Sequence, residues 1–193
     1  MNNRSKSFWF FLTPCLLGLV MVLFIPLITG IYYSMTDWNG ISVDHFIGLG
    51  NYIEAFKDEG FLKSIWFTVK FSVVAILLVN VIGLSLALLV TQKADKLNNV
   101  FRTVFFMPNL IGGIILGFIW QFIFIKAFSA IGQATGIELF NGWLSTTNTG
   151  FWGIVILFVW QMSGYIMIIY ISFINNIPEE MMEAAKIDGA TSW

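Results

Sequence analysis

Cysteine and histidine are nearly missing from these 193 residues, with one of each, Cys15 and His45. A disulfide framework, a CxxC redox pair and a His/Cys zinc cluster are thereby excluded. Charge is also scarce, at 11% of residues against about 25% in soluble domains. Ten basic and eleven acidic side chains leave a net charge of −1, so no basic surface exists to neutralise a phosphate backbone, and nucleic-acid binding is set aside. No G-x-x-x-x-G-K-[ST] loop is present to cradle a nucleotide. No acidic residue falls inside the long apolar runs, so neither paired carboxylates nor a metalloprotease centre can form there. No catalytic residue, metal or cofactor is expected. What is abundant is apolar: 58% hydrophobic and 17% aromatic residues, with a mean hydropathy of +0.81. Lipid is the solvent such a chain suits.

Four apolar runs, about 8–33, 65–90, 104–125 and 151–174, each reach the ~20 residues a membrane-crossing helix needs. The expected fold is an all-α, polytopic transmembrane helical bundle. Arg4 and Lys6 before the first run resemble a signal-peptide start, but the run is longer than a secretory core and no small-residue cleavage site follows. It is read as a retained span, with kinks or unwinding at Pro14 and Pro26, where helix hydrogen bonds are removed. Charged residues between Asp37 and Ser64, including Asp44, Glu54 and Lys57, place that stretch in water, with a turn at Trp38-Asn39-Gly40. An external helix and loop are expected over 126–150.

Basic residues set the orientation, because Lys and Arg resist translocation. With the N-terminus inside, Arg4, Lys6, Lys93, Lys96, Arg102 and Lys186 lie on the cytoplasmic side and Lys57, Lys63 and Lys126 outside. The expectation is a multi-pass protein of the cell membrane with a cytoplasmic N-terminus. Lys70 is set apart: it is read as a side chain that snorkels out of the second span, with a functional intramembrane cation as the alternative. Trp38, Trp66, Trp143 and Trp152 fall near the outer boundaries, where indoles favour the headgroup level.

Inside the runs, Gly113 and Gly117 form a GxxxG pair suited to close helix approach. Asn80, Ser85, Asn109, Gln121, Gln161 and Ser163 are costly in hydrocarbon and should face protein or a wet cavity. Asn80, Asn109, Gln121, Gln161 and Ser163 are candidates for a translocation path. Interhelical hydrogen bonding is the plainer role for any one of them.

The final segment, 177–193, reads as a short acidic helix. Pro178 suits its first position, Glu179 and Glu180 suit the positive end of the dipole, and Gly189 suits a left-handed cap. Met181, Ala184, Ala185 and Asp188 share a shallow face. Glu183-Ala184-Ala185-Lys186-Ile187-Asp188-Gly189-Ala190 resembles the E-A-A-x-x-D-G-A motif of the membrane-spanning permease subunits of binding-protein-dependent ABC importers. The similarity reaches back along the chain and is greatest to the carbohydrate branch, the maltose, multiple-sugar and glycerol-phosphate permeases. Phe46-Ile47-Gly48-Leu49-Gly50-Asn51-Tyr52, Phe101-Arg102, Phe105-Phe106-Met107-Pro108, Trp120 and Ile177-Pro178 carry it. Ser172-Phe173-Ile174-Asn175 departs from it, since many members have A-G-L-Q there.

That resemblance implies a type I importer permease in which Glu183, Ala184, Ala185, Asp188 and Gly189 form the helix that docks on the ATPase. Its implied partners are a second permease subunit, cytoplasmic ATP-binding subunits, an extracytoplasmic solute-binding protein and membrane lipid. The cargo would be a sugar or related solute, with ATP hydrolysis on a separate chain. Members continue for about two more spans, so four of an expected six are present and the chain is expected to be a truncated copy. The alternative is a non-transporting membrane fragment or small scaffold.

Overall fold

The structure, a computed structural model, describes residues 3–43, 45–91 and 96–191. Asp44, Lys93, Asp95, Ser192 and Trp193 lie outside the described residues, as do the side chains of Arg4, Lys6 and Lys96. The described chain is helical, with no strand beyond one isolated bridge between Thr36 and Phe46. Among the described residues, four helical stretches are long and apolar enough to cross a membrane: Ser7–Ser34, Glu59–Thr91, Gly113–Thr135 and Thr147–Asn175. The chain divides into two compact units, Met1–Phe67 and Thr68–Trp193.

In the first unit, α1 (Asn3–Leu19) and α2 (Ile25–Ser34) are joined by a π turn, Val20–Phe24. The wide turn sits just before Pro26, which has no N–H to continue the regular ladder, and the Ile25 amide reaches back to the Val20 carbonyl. Local unwinding therefore occurs at Pro26. At Pro14 the α-helix runs on without the local unwinding found before Pro26.

The end of α2 explains the segment from Phe46 to Tyr52. Backbone N–H groups of Ile47 and Gly48 both donate to the Met35 carbonyl, at 2.9 and 3.0 Å, and Gly48 has a φ of +61° that permits this turn. Asn51 Nδ2 donates to the carbonyls of Ser34 (3.0 Å) and Thr36 (2.8 Å). Tyr52 and Ser34 share a hydroxyl hydrogen bond of 2.7 Å. A helix C-terminus leaves carbonyls without intrahelical donors, and the Ile47 and Gly48 amides and the Asn51 side chain supply them. Asn39 Oδ1 accepts from the amides of Ile41 and Ser42 and closes the expected turn. Then follow α3 (Gly50–Lys57) and, after Asp58, α4 (Glu59–Thr91). Asp58 Oδ1 takes the Gly60 amide at 2.8 Å and starts the new helix earlier than the apolar run does.

In the second unit, the long helix α8 (Thr147–Asn175) is the central element, 29 residues and about 43 Å long. Its start is a reciprocal cap between Thr146 and Thr149, drawn from the polar tract before it. A seam of small residues on α4, at Ala75, Val79, Gly83 and Ala87, is buried. A Cβ on Gly83 would lie 2.9 Å from Ile166 Cγ2. Ala87 and Val90 pack with Met167 and Ile171 of α8. Close approach of helices in lipid rests on such small-residue seams.

The run 104–125 is not one helix. α5 (Lys96–Phe106) ends in a 3-10 turn, Met107–Leu110, and α6 (Gly113–Phe122) begins after a bend at Ile111 and Gly112. Pro108 lies in the tight turn, where its missing N–H and fixed φ stop the helix. α6 continues through a π turn, Ile123–Ala127, into α7 (Phe128–Thr135). The expected external helix is thus the end of the third membrane-length stretch. Gly136, at φ +72°, closes it, and α9 (Glu179–Ile187) ends the described fold.

Candidate functional site

The polar residues of the second unit meet at two places rather than in one cavity. At the first, Tyr170 Oη donates to Asn80 Oδ1 at 2.7 Å and ties α8 to α4. Asn80 Nδ2 turns back to the Ile76 carbonyl at 2.7 Å. At the second, the break between α5 and α6 exposes backbone groups that side chains of α8 approach. Gln161 Nε2 donates to the Ile111 carbonyl at 3.5 Å, and Asn109 Nδ2 lies 3.7 Å from Met162 Sδ. Ser163 is buried and donates to its own helix at Val159, 2.6 Å away. Ser85 does likewise with Val81.

Two clefts flank this break. One of about 410 Å³ lies between α6 and α8, floored by Gly113, Gly117 and Gly153 and edged by Trp120 and Gln121. Gln121 is exposed on it and makes no hydrogen bond among the described residues. The other, about 630 Å³, lies between α4, α5 and α8, with Ile82, Val104, Phe105, Trp152, Trp160 and Ser163 on its walls. Of the five candidate path residues, Gln121 and Ser163 therefore line a cleft. Asn80, Asn109 and Gln161 are engaged by neighbouring elements.

Aromatic packing fixes the walls. Phe124 is buried, stacks on Trp143 at 5.0 Å and meets Phe128 edge-on at 5.2 Å. Trp120 packs on Phe124 at 5.1 Å and on Trp160 at 5.4 Å. Trp120 Nε1 and Arg102 Nε are buried without a hydrogen-bond partner among the described residues. Lys70 Nζ sits 4.5 Å from the centroid of the Phe151 ring, a cation–π contact for the side chain expected to snorkel. No group of three His, Cys, Asp or Glu able to hold a metal occurs among the described residues.

Tyr170 and Met162 were missed in the sequence. A tyrosine within an apolar run is itself a signal, because its hydroxyl needs a partner when buried. The GxxxG reading also needs qualification. Among the described residues, nothing beyond the helix's own backbone lies within 4 Å of a Cβ built on Gly113 or Gly117. Tight contacts lie at other, single glycines, among them Gly164 against the Phe105 carbonyl, Gly132 against Asn141 Oδ1 at 2.6 Å and Gly153 against Leu144 at 2.7 Å.

The E-A-A segment forms α9, with Pro178 as its N-cap residue rather than its first helical one. Glu179 and Glu180 occupy the first turn, and Lys186 the last. Gly189 takes a φ of +80°. The Gly189 amide donates to Lys186 and the Ala190 amide to Ala185, at 3.2 and 2.9 Å. This paired bonding is the Schellman cap, which closes the helix with a left-handed residue. Glu183, Ala184 and Asp188 are exposed and Ala185 is half-buried. Phe173, which replaces a small residue of the resembled pattern, is 70% exposed, so its bulk is accommodated outside the packed face.

Against known proteins, the family model for the binding-protein-dependent transport system inner membrane component matches residues 79–193. A probable starch degradation products transport system permease of Thermoanaerobacterium thermosulfurigenes is 57% identical over 199 residues, covering 100% of this chain and 68% of that protein. A multiple sugar-binding transport system permease of Streptococcus mutans is 32% identical, covering 98% of this chain and 66% of that one. The fold matches a chain of a bacterial ABC transporter involved in import of the acidic polysaccharide alginate, with a TM-score of 0.79 at 21% identity, over 98% of this chain and 65% of that one. This chain spans about two thirds of the length of these relatives. With four membrane-length helices, the capped E-A-A helix and a family match over more than half its residues, the chain belongs to the binding-protein-dependent transport system inner membrane components, the permeases of ABC importers.

Proposed function

We propose that this chain supplies part of the translocation path for a sugar and that α9 couples it to a cytoplasmic ATPase. The observation that carries this reading is the form of α9. It is a short helix with a proline entry and a glycine Schellman exit, largely exposed, placed at the end of the long helix α8. Such a helix is stiff, and the shallow surface at Ala184 and Ala185 lets a groove approach its backbone. Glu183 and Asp188 offer carboxylates for polar or basic groups of that groove. Movement of the groove would then be delivered to α8 and, through Tyr170 and Asn80, to α4.

The N-terminus is assigned to the cytoplasm by the distribution of basic residues, and four crossings then return α9 to the same side. The partners are a second permease subunit, ATP-binding subunits that hydrolyse ATP, and an extracytoplasmic solute-binding protein. Gln121 and Ser163 are the path residues best placed to meet a cargo, since each borders a cleft. The relative at 57% identity points to oligosaccharides from starch as that cargo.

The test is uptake of labelled maltotriose by cells carrying the full-length permease and its neighbouring transporter genes, with and without Glu183→Lys. The expected result is uptake with the parent, and loss of both uptake and ATPase co-purification with the variant. Unchanged uptake and co-purification with Glu183→Lys would overturn the coupling role.

A further inference from the structure

Large apolar side chains stand exposed on the first unit between the two membrane-length helices. Leu49, the N-cap residue of α3, and Ile53 and Phe56 within it recur at i, i+4 and i+7 and fall within an arc of about 60° about the helix axis. They are 61%, 56% and 63% exposed, and Phe46, just before them, is 66% exposed. The remaining surface of α3 is differently occupied. Asn51 and Tyr52 are tied to the end of α2, and Glu54 and Lys57 project on a third sector. The helix thus has a packed side, a charged side and an uncovered apolar side.

Its tethers decide what can cover that apolar side. At one end, Asn51 and Tyr52 bond directly to Ser34, the last residue of one membrane-length helix. At the other, Asp58 alone separates α3 from α4, the next such helix. The Phe56 ring meets Phe61 edge-on at 6.3 Å, so the apolar side of α3 runs into the exposed apolar surface at the start of α4, where Leu62, Ile65 and Trp66 follow. With eight residues, α3 is far too short to cross a bilayer, yet it cannot move away from one.

We infer that α3 lies in the plane of the membrane surface, with Leu49, Ile53 and Phe56 seated at the boundary of headgroups and acyl chains. Glu54 and Lys57 remain in water, as a helix with separate apolar and charged sectors requires at an interface. The segment 37–64, which its charges alone assign to water, is thereby divided between water and lipid. The inference rests on the membrane embedding of the chain and is independent of its cargo and of α9.

Spin labelling tests it on the full-length permease, in a Cys15→Ser background, reconstituted into vesicles of phosphatidylcholine and phosphatidylglycerol. Labels are placed through Ile53→Cys, Phe56→Cys, Glu54→Cys and Lys57→Cys, none of which removes a hydrogen bond to Ser34. Collision with oxygen and with a water-soluble nickel chelate should place the labels at 53 and 56 about 5–10 Å into the headgroup and acyl boundary. The labels at 54 and 57 should collide freely with nickel. Equal nickel access at all four positions would overturn the inference in favour of a solvated helix. Protection of 53 and 56 from both reagents would overturn it in favour of a protein cover, whether a partner or a second copy.

Discussion

Tyr170 and Asn80 meet through a 2.7 Å hydrogen bond that joins the two longest helices of the chain. Asn80 also satisfies its amide within α4, so the tyrosine hydroxyl completes its bonding in an apolar setting. Interhelical hydrogen bonds in membranes average about 0.6 kcal/mol and reach about 2. Tyr170→Phe is therefore expected to cost about 1 kcal/mol, read by denaturant unfolding in mixed micelles. In a double-mutant cycle with Asn80→Leu, the second substitution should cost less in the Tyr170→Phe background than alone. Strict additivity would show that the contact carries no energy.

Glycines with opposite surroundings should respond oppositely. A Cβ at Gly164 would occupy the place of the Phe105 carbonyl, and backbone cannot yield as a side-chain tip does. Gly164→Ala is expected to destabilise by about 1–3 kcal/mol, the usual cost of overpacking. Gly117→Ala meets open space and should be within about 1 kcal/mol of the parent, on the stabilising side, because alanine is the better helix former. Thermal unfolding in detergent separates the two.

Asn51 closes the end of α2 as a donor, a role that its shape alone does not supply. Asn51→Asp should fail to rescue Asn51→Ala, since a carboxylate facing the Ser34 and Thr36 carbonyls has no hydrogen to give. Each is expected to cost about 1–3 kcal/mol locally. Hydrogen exchange at the amides of Ile47 and Gly48, both bonded to Met35, should quicken in both variants and stay slow in the parent.

At α9, Gly189→Val and Glu183→Lys should damage coupling by different routes. Valine is strongly disfavoured at the φ of +80° that Gly189 adopts and would misdirect the chain after the helix. Lysine at 183 leaves the helix intact and reverses a charge on its exposed side. In the full-length subunit, both should insert into the membrane while ATPase co-purification and uptake fall. Lys186→Ala should do less harm than Gly189→Val.

The capping of α9 was legible apart from one residue at its start, because caps are local and each signal lies within a turn of its effect. The four membrane-length helices were legible for a similar reason, since length and hydropathy need no knowledge of neighbours. Pro108 illustrates the limit. Run length joined 104 to 125, whereas a proline followed by Asn109 and two glycines offers the backbone a tight turn that Gln161 then supports from 50 positions away. The small-residue seam at Ala75, Gly83 and Ala87 was less visible than Gly113 and Gly117. Alanine reads as ordinary helix until its partner, α8, is in place. Of the polar set, Asn80, Asn109 and Gln161 reach other elements, Ser85 and Ser163 turn back on their own helices, and Gln121 makes no hydrogen bond among the described residues; which of them does which depends on helix rotation, and that is written in tertiary packing.

The π turn at Ile123–Ala127 gives the third membrane-length stretch two phases. One residue more than a regular turn is accommodated there, so the wheel that places Gly113, Gly117 and Gln121 on one cleft is out of step with Phe128 and Gly132 by about 100°. A single-residue deletion at this point would restore regular helical winding while swinging α6 around its own axis. The cleft and the aromatic cluster would then lose their common alignment without the helix itself being broken. Chain length at this position is thus a rotational setting, and a related sequence one residue shorter here would present a different set of side chains to α8.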